Sequence, residues 1–357
     1  MGTRRRFGVS RSHPTPPHPP VAQAKGGAAS PAAVKALVLI GGFGTRLRPV
    51  TYSVPKQLIP IAGQPMLYHV LDLLPPDVEE VVLATGYKAD VIEAYVRAHP
   101  PRWPVRTVTE AEPLGTGGGL KNASEGLSDP FFFLNSDVIA SVDLAAVARR
   151  HFEHGGIGTM TLTEVEDTRP YGVAALGEND RIVGFVEKPE PEVAPSHWIN
   201  AGIAIYGRSV LDAIPAGRPV SFEREVVPGL LARGLFGFRL SGYWDDAGTP
   251  ERLLRAQRLL FDAGRGGPGG LPAGSLGQGP VALLAGASAR GASVGPYVTL
   301  GAGAVVEPDA HVENSVLMDG ARVERGAIVT GSLLGPRSRV RAGHRVSGQI
   351  LGENAEA

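Results

Sequence analysis

The sequence predicts an α/β protein with a mostly parallel sheet in its larger N-terminal part and a β-helix in its C-terminal part. Three observations support this fold class. Short apolar runs alternate with helical segments over residues 35–262, as they do in sheets built from strands and crossover helices. A Gly/Pro-rich linker is predicted at residues 263–280. Beyond it, over residues 281–351, aliphatic side chains recur every six positions.

The segment 1–34 precedes the first predicted strand. It begins with three consecutive arginines and continues with repeated prolines, alanines and glycines, so it contains too little apolar surface to form a core. No apolar stretch of about 7–15 residues follows the basic start, so the segment does not have the pattern of a secretory signal peptide. We therefore expect residues 1–34 to be a disordered extension.

A buried strand followed by a glycine-rich loop comes first in the folded part. Residues 36–40 are an apolar, branched run without polar alternation, which is typical of a strand covered on both faces. The loop Gly41-Gly42-Phe43-Gly44-Thr45-Arg46 follows directly. Glycines let backbone N–H groups approach phosphate oxygens, and the Arg46 guanidinium can bind a phosphate through two hydrogen bonds. The loop is therefore predicted to bind a polyphosphate.

Two common phosphate loops do not fit this segment. A Walker loop requires a lysine directly after its last glycine, and none stands there. A dinucleotide-binding loop requires a third glycine where Leu47 is found. The remaining pattern is a glycine loop with Arg46, followed by a second cation in Pro55-Lys56.

Further strands are predicted at residues 81–84, 105–109 and 131–134, with a helix over residues 90–98. Ligands of parallel sheets bind at the carboxyl ends of the strands. The glycine loop and Asp137 both follow predicted strands, so we expect them at the same edge. A closing helix is predicted from Thr249 as N-cap and Pro250 in the first position to a stop near Gly264.

A six-residue period indicates a β-helix at the C-terminus, because each side of a triangular coil buries one apolar residue. About ten repeats predict roughly three coils. The ends of such a short solenoid are open, so we expect self-association or docking on the first domain. The aliphatic series consists of Val294, Leu300, Val306, Val312, Met318, Val323, Val329, Leu334, Val340 and Val346.

Composition excludes several functional classes. The formal net charge is zero, which gives no reason to expect nucleic acid or an anionic membrane as a partner. The chain contains no cysteine, which excludes disulfides, thiolate metal sites and a cysteine nucleophile. No apolar run approaches the roughly 20 residues that span a bilayer. We therefore expect a soluble, cytoplasmic protein.

The composite Gly-Gly-x-Gly-Thr-Arg-Leu-x-Pro and the following Pro-Lys-x-Leu resemble the signature of the sugar-1-phosphate nucleotidyltransferases. The resemblance implies a Rossmann-like sheet of the GT-A type and a left-handed parallel β-helix. It also implies Mg²⁺ as cofactor, and a nucleoside triphosphate and a hexose 1-phosphate as substrates. The implied activity is formation of a nucleotide sugar with release of pyrophosphate, by a homo-oligomer that associates through its β-helix.

The resemblance extends to individual residues. Asp137, at the end of an apolar strand, and Asp246, in Trp-Asp-Asp-Ala-Gly-Thr-Pro, match the family's magnesium ligands, with Asp245 as the adjacent competitor. Arg46, Lys56, Asp137, Lys188 and Asp246 are the implied catalytic residues. The sugar phosphate is assigned to Tyr171, Gly172, Glu187, Lys188 and Asn200. The nucleotide is assigned to Leu39, Gly41, Gly42, Gly44, Thr45, Arg46, Lys56, Glu112, Gly115 and Thr116.

The loop from Glu112 to Leu120 is assigned to the nucleobase. Its Glu-Pro-Leu-Gly-Thr segment resembles mannose-1-phosphate guanylyltransferases, which favours GTP and mannose 1-phosphate. Gln57 departs from that pattern, because Pro-Lys-Gln-Leu is commoner in glucose-1-phosphate thymidylyltransferases. Thymidylyl, uridylyl and adenylyl transfer therefore remain alternatives.

Two alternatives belong to other functional classes. A hexapeptide-repeat acyltransferase would need a histidine base on the β-helix, for which His311 and His344 are available. A non-catalytic, regulatory relative would be expected to have lost Arg46, Lys56 or one of the two aspartates, and all are present.

Overall fold

The computed structural model describes residues 34–267 and 270–357. The predicted disordered extension lies outside the described residues, except for Val34, which is buried. Within the described part of the chain, no helix is both long enough and apolar enough to cross a bilayer.

The segment 35–262 alternates strands and helices. Its helices are α1 (Met66–Leu71), α2 (Ala89–Ala98), α3 (Gly115–Asn122), α4 (Leu144–His154), α5 (Val227–Leu230) and α6 (Pro250–Asp262). Its strands are β1 (Lys35–Ile40), β2 (Pro60–Ile61), β3 (Gln64–Pro65), β4 (Val81–Thr85), β5 (Val105–Thr109), β6 (Phe131–Asn135), β7 (Val138–Ala140), β8 (Gly158–Glu164), β9 (Gly172–Leu176), β10 (Ile182–Glu187), β11 (Trp198–Tyr206), β12 (Leu235–Arg239) and β13 (Trp244–Asp246).

The main sheet has nine strands: seven follow the order β10-β9-β11-β6-β1-β4-β5, β8 also pairs with β11, and β12 pairs with β8. Strand β1 pairs in parallel with β4 and β6, and Leu37 lies opposite Val82 and Phe133. Strand β11 is antiparallel to β6, so the sheet reverses direction there. The predicted α/β sheet is confirmed, and most of its parallel pairs lie around β1, with β8 and β12 forming another.

Alternate side chains of β1 enter two hydrophobic cores, one on each face of the sheet. Leu37 packs into one core with Phe131 and Phe133, whereas Ala36 and Val38 pack into the other. Because both faces of β1 are buried, its sequence is a continuous apolar run. This burial also fixes the register of β1, because a slip of one residue would exchange the two faces.

Helix α6 begins as the sequence predicts. The Thr249 side chain accepts a hydrogen bond from the Arg252 N–H, and Pro250 occupies the first turn, where no intrahelical donor is needed. This cap fixes the position of the chain directly after β13, and so it fixes the segment that carries Asp246.

The C-terminal part is a β-helix whose strands form three parallel sheets. Val298 lies opposite Ser315, and Val294 lies opposite Val312, so one coil takes 17 or 18 residues. The first sheet contains β14 (Leu276–Gly277), β16 (Ser293–Val294), β19 (His311–Glu313), β22 (Ile328–Thr330) and β25 (Arg345–Ser347). The second contains β15 (Val281–Leu283), β17 (Val298–Leu300), β20 (Ser315–Leu317), β23 (Leu333–Leu334) and β26 (Ile350–Leu351). The third contains β18 (Val305–Val306), β21 (Arg322–Val323) and β24 (Arg339–Val340).

The β-helix is longer than the predicted three coils, because two of its sheets have five strands each. The additional strands are β14, β15 and β26. Strand β14 lies inside the Gly/Pro-rich segment 263–280 that the sequence indicates to be a linker. The three strands flank the regular series, where the six-residue spacing of aliphatic residues breaks down.

The second β-helix sheet packs on the nucleotidyltransferase-like half. Val316, Met318 and Leu333 share a hydrophobic core with Leu47 of the glycine loop and Leu260 of α6. The fully buried amide of Gln257 in α6 joins the two parts: its oxygen accepts from Ala62 N and Thr299 Oγ1, and its nitrogen donates to Tyr297 O. The predicted docking of the β-helix on the first domain is therefore observed.

Candidate active site

The glycine loop follows β1 at the carboxyl edge of the parallel strands. Gly42 has φ 86° and Gly44 has φ 61°, a left-handed backbone conformation that glycine adopts without strain. Thr51 Oγ1 donates a 2.8 Å hydrogen bond to Gly44 O and holds the turn. Thr45 and Arg46 lie in the single helical turn that comes next. The backbone conformation is therefore suited to a close approach of an anion.

Lys56 and Asp137 form an ion pair with 2.6 Å between Nζ and Oδ2, although they are 81 residues apart. The Lys56 side chain is only 8% exposed, so its ammonium group is fixed in place. Burial acts to raise the pKa of Asp137, but the charges of Lys56 and Arg46 outweigh it and lower that pKa. The carboxylate is therefore ionised at neutral pH, beside two cations.

Asp246 lies next to this pair because β13 is antiparallel to β7. Asp246 is opposite Val138, and Ala247 N donates a 3.0 Å hydrogen bond to Asp137 O. The strand pairing therefore brings together two acidic residues that are far apart in sequence. The neighbouring Asp245 faces the other way, where it is fully buried and paired with Arg255.

Arg46 approaches this group from the glycine loop. A Cβ built on Gly248 would lie 2.7 Å from Arg46 Nη2, so the guanidinium occupies the space that any other residue at 248 would fill. Arg46, Lys56, Asp137 and Asp246 therefore surround one centre.

We expect Gly248→Ala to lower kcat by about ten- to a hundredfold, since the added methyl would displace the Arg46 guanidinium and a misplacement of about 1 Å can cost that much. The clash is with the end of a flexible side chain, so the thermal midpoint should change little. Steady-state kinetics and thermal unfolding test this together. Gly229→Ala is the matched control, because a Cβ at Gly229 meets nothing within 4 Å. Equal activities of the two variants would contradict the placement of Arg46.

A cavity of about 320 Å³ opens beside the centre. Glycine-loop residues and Asp137 line one end, and α3 with the loop before it lines the other. The assigned nucleotide residues that line it are Leu39, Gly41, Gly42, Gly115 and Thr116. Its dimensions and its phosphate-loop end suit a nucleotide.

One residue that lines the cavity was not predicted from the sequence. Glu110 lines the cavity beside Gly119 of α3, whereas the assigned Glu112 is exposed and is not part of the lining. Burial raises the pKa of the Glu110 carboxyl, although the hydrogen bond that it accepts from Leu114 N opposes this shift. The loop therefore presents the carboxylate two residues earlier than expected.

Two of the five residues assigned to the sugar phosphate line a separate cavity. A second cavity, of about 500 Å³, is lined by Glu187 and Lys188 and shares Gly115 and Thr116 with the first. Gly172 is packed tightly, because a Cβ there would lie 2.8 Å from the Glu187 carboxylate. Burial and the nearby Glu223 raise the pKa of Glu187, and Lys188, 3.5 Å away, opposes this shift.

Two further assigned residues, Tyr171 and Asn200, have partners within the protein. Tyr171 O accepts a 2.9 Å hydrogen bond from Lys188 N, and its ring packs edge-on against Trp244. Asn200 Oδ1 accepts from Gly202 N at 2.9 Å. Tyr171 thereby connects the Lys188 segment to the strand that carries Asp246.

Comparison with known proteins identifies the family. A model described as nucleotidyl transferase matches residues 35–262, and a model described as the GMPPB C-terminal domain matches residues 279–357. The mannose-1-phosphate guanylyltransferase of Mycobacterium tuberculosis is 40% identical over 80% of this chain and 83% of its own. The chain belongs to the mannose-1-phosphate guanylyltransferase family. The resemblance to the sugar-1-phosphate nucleotidyltransferases is thereby confirmed.

Two further proteins extend this similarity. Mannose-1-phosphate guanylyltransferase 1 of Arabidopsis thaliana is 38% identical over 80% of this chain and 81% of its own. The crystal structure of HddC from Yersinia pseudotuberculosis superposes with a TM-score of 0.54 at 28% identity, covering 63% of this chain and 98% of HddC. The family assignment favours nucleotidyl transfer over the acyltransferase alternative, for which His344 is merely exposed and bonded to Ala342 O.

Gln57, the departure from the guanylyltransferase pattern, does not line the nucleotide cavity. It is buried, and its amide nitrogen contacts Gly41 O at 3.4 Å and Ser136 Oγ at 3.3 Å. Gln57 therefore supports the backbone of the glycine loop from outside the nucleotide cavity. Its presence gives no reason to prefer thymine in this member of the guanylyltransferase family.

Nucleotidyltransferases of this family use a divalent metal ion, and the acidic pair fits one. Mg²⁺ is commonly bound through one or two carboxylates together with substrate phosphates. Asp137, directly before β7, and Asp246, at the end of the paired strand β13, provide two such carboxylates. No cluster of three or more acidic or histidine ligands occurs among the described residues, so the substrate phosphates would have to complete the coordination.

Proposed function

We propose that this protein transfers the guanylyl group of GTP to mannose 1-phosphate, forming GDP-mannose and pyrophosphate. The observation that supports it best is the grouping of Arg46, Lys56 and Asp246 around Asp137, which lines a nucleotide-sized cavity. The names of the M. tuberculosis and A. thaliana relatives support the choice of substrates.

The chemistry requires two anions to approach each other. An oxygen of the sugar phosphate attacks the α-phosphorus of GTP, the bond from that phosphorus to the bridging oxygen of the β-phosphate breaks, and pyrophosphate leaves with the electron pair. The attacking phosphate is already ionised, so no base has to remove a proton. Positioning and charge neutralisation supply most of the rate.

Each assigned residue contributes to one of these two effects. Arg46 and Lys56 neutralise the phosphates of GTP beside the glycine loop, and Gly41, Gly42 and Gly44 admit the phosphates close to the backbone. Asp137 and Asp246 would hold Mg²⁺, which supplies further neutralisation of phosphate charge when bound.

The sugar phosphate is assigned to the second cavity. Lys188 is half exposed there, and its ammonium group neutralises the incoming phosphate. The Glu187 carboxylate and the Asn200 amide can hydrogen-bond to sugar hydroxyls. Gly115 and Thr116 line both cavities, which supports binding of the nucleotide and the sugar on opposite sides of one turn.

Guanine is the base that Glu110 suits best. The N1–H and the 2-amino group of guanine are adjacent donors, and an ionised carboxylate can accept both. Uracil and thymine offer one ring donor between two carbonyl oxygens, which a carboxylate would repel.

A pyrophosphate-release assay tests the proposed function. GTP, dTTP, UTP and ATP are each combined with mannose 1-phosphate and glucose 1-phosphate in the presence of Mg²⁺. GTP with mannose 1-phosphate should give the highest kcat/KM. A preference for dTTP and glucose 1-phosphate would reject the guanylyl assignment while leaving the nucleotidyltransferase class intact.

We expect Glu110→Gln to lower the preference for GTP over ITP by about tenfold. ITP lacks the 2-amino group, and the variant loses one charge-assisted hydrogen bond to that group. The GTP/ITP ratio of kcat/KM is the measurement. If Glu110 only holds the Leu114 N–H, both nucleotides should lose activity equally. An unchanged ratio would therefore refute the base-reading role.

Two further predictions accompany the proposed function. A chain without cysteine needs no oxidising compartment, which agrees with a cytoplasmic enzyme.

Self-association through the β-helix would have to use a face other than the β15-β17-β20-β23-β26 sheet, which already packs against α6.

A further inference from the structure

Arg252, in the first turn of α6, lies between the metal-binding and sugar-binding sides of the centre. Its Nη1 contacts Asp246 Oδ1 at 2.5 Å and also the hydroxyl of Tyr171. Its guanidinium carbon lies 5.3 Å from the centroid of the Tyr171 ring, within cation–π range. The capped start of α6 and these contacts hold the side chain in one orientation.

Two nitrogens of the Arg252 guanidinium have no hydrogen-bond acceptor among the described residues. Both of its hydrogen bonds come from Nη1, while Nε and Nη2 donate to nothing in residues 34–267 and 270–357. The side chain keeps 26% of its surface exposed, so the guanidinium is not sealed inside the protein. A planar fork held along one edge is suited to bind an oxyanion through the other.

The anion that would reach this position is the sugar 1-phosphate. Tyr171, which holds the guanidinium, also accepts a hydrogen bond from Lys188 N, and Lys188 is the assigned sugar-phosphate cation. Asp246, the other partner, belongs to the centre where the α-phosphorus reacts. An attacking phosphate must lie between these two places.

We infer that Arg252 binds the phosphate of the sugar 1-phosphate through Nε and Nη2, as a second cation beside Lys188, while Nη1 keeps its bond to Asp246. Lys188 neutralises charge but does not fix orientation, because an ammonium group is a point charge on a flexible stem. Arg252 fixes which phosphate oxygen faces the α-phosphorus. This role rests on the proposed function.

Kinetics separate this role from a purely structural one. Arg252→Ala should raise the KM for mannose 1-phosphate by about tenfold or more, the loss expected for charge-assisted hydrogen bonds, with less than about a twofold change in the KM for GTP. Arg252→Lys keeps the charge but lacks the fork, so its KM should be intermediate. Arg258→Ala removes an exposed arginine from the same helix and should match the unmodified enzyme.

If Arg252 only neutralises Asp246, the KM values for both substrates should move together, or kcat alone should fall. Either result would overturn the inference. A thermal midpoint within a few degrees of that of the unmodified protein shows that a variant folds. If Arg252→Ala does not fold, Arg252→Lys is compared with the unmodified protein instead.

Binding measured without turnover distinguishes this inference from the proposed function. Calorimetric titration of mannose 1-phosphate and of glucose 1-phosphate in EDTA needs neither GTP nor metal. Arg252→Ala should weaken binding of at least one of them by about tenfold, whereas Arg258→Ala should not. Equal affinities of the two variants and the unmodified protein would refute the role of Arg252. An unmodified protein that binds a sugar phosphate but releases no pyrophosphate would refute the proposed function instead.

Discussion

Lys56→Ala should lower kcat by about a hundredfold or more, equivalent to at least about 2.7 kcal/mol of barrier height. The ammonium group is nearly buried and lies 2.6 Å from Asp137, so no solvent cation can replace it at the same position. Its loss removes positive charge from the place where the phosphates meet, and it leaves Asp137 without its closest counter-ion. Steady-state pyrophosphate release is the measurement.

Lys35→Ala is the matched control for Lys56. It breaks a lysine–glutamate pair of 3.1 Å with Glu80 at the start of β1, away from the centre. Its turnover should be close to that of the unmodified enzyme. A Lys56→Ala variant that is equally active would show that this lysine does not take part in the reaction.

Asp137→Asn should also lower turnover by about a hundredfold or more, because the substitution keeps the size of the side chain and removes its charge. The variant loses one proposed metal ligand, so the Mg²⁺ concentration needed for half-maximal activity should rise as well. Activity measured across a Mg²⁺ titration reports both effects.

Asp309→Asn provides the control for this substitution. Asp309 pairs with Arg325 at 2.8 Å on the exposed surface of the β-helix, so its removal should leave activity and metal dependence unchanged. Asp137 and Lys56 contact each other, and the losses of the double variant should therefore fall short of the product of the single losses. Independent, multiplying losses would contradict a shared role.

Local sequence patterns are sufficient to predict the parallel part of the fold. The apolar run of β1, buried on both faces, and the alternation of strands and helices lead directly to the sheet around β1. The antiparallel addition of β8–β11 could not be predicted, because it depends on pairings between distant strands such as β11 with β6. The additional β-helix strands were missed for a different reason: glycine and proline around β14 hide the repeat.

The candidate site, like the fold, could be predicted only in part from the sequence. The sequence indicates Arg46, Lys56 and Asp137 through glycine-loop chemistry and strand ends, and the structure places them together. Glu110 was missed because the Glu-Pro-Leu-Gly-Thr motif pointed to the carboxylate two residues later. Arg252 was missed because its partners, Tyr171 and Asp246, lie outside α6 and meet it only in the folded chain. Such roles depend on side chains that meet only after folding.

A crystal structure with GDP-mannose and Mg²⁺ tests the central claim most directly. We expect the diphosphate against Arg46 and Lys56, the metal ion held by Asp137 and Asp246, and guanine beside Glu110. GDP-mannose bound in another cavity, or a metal ion held by other residues, would contradict it.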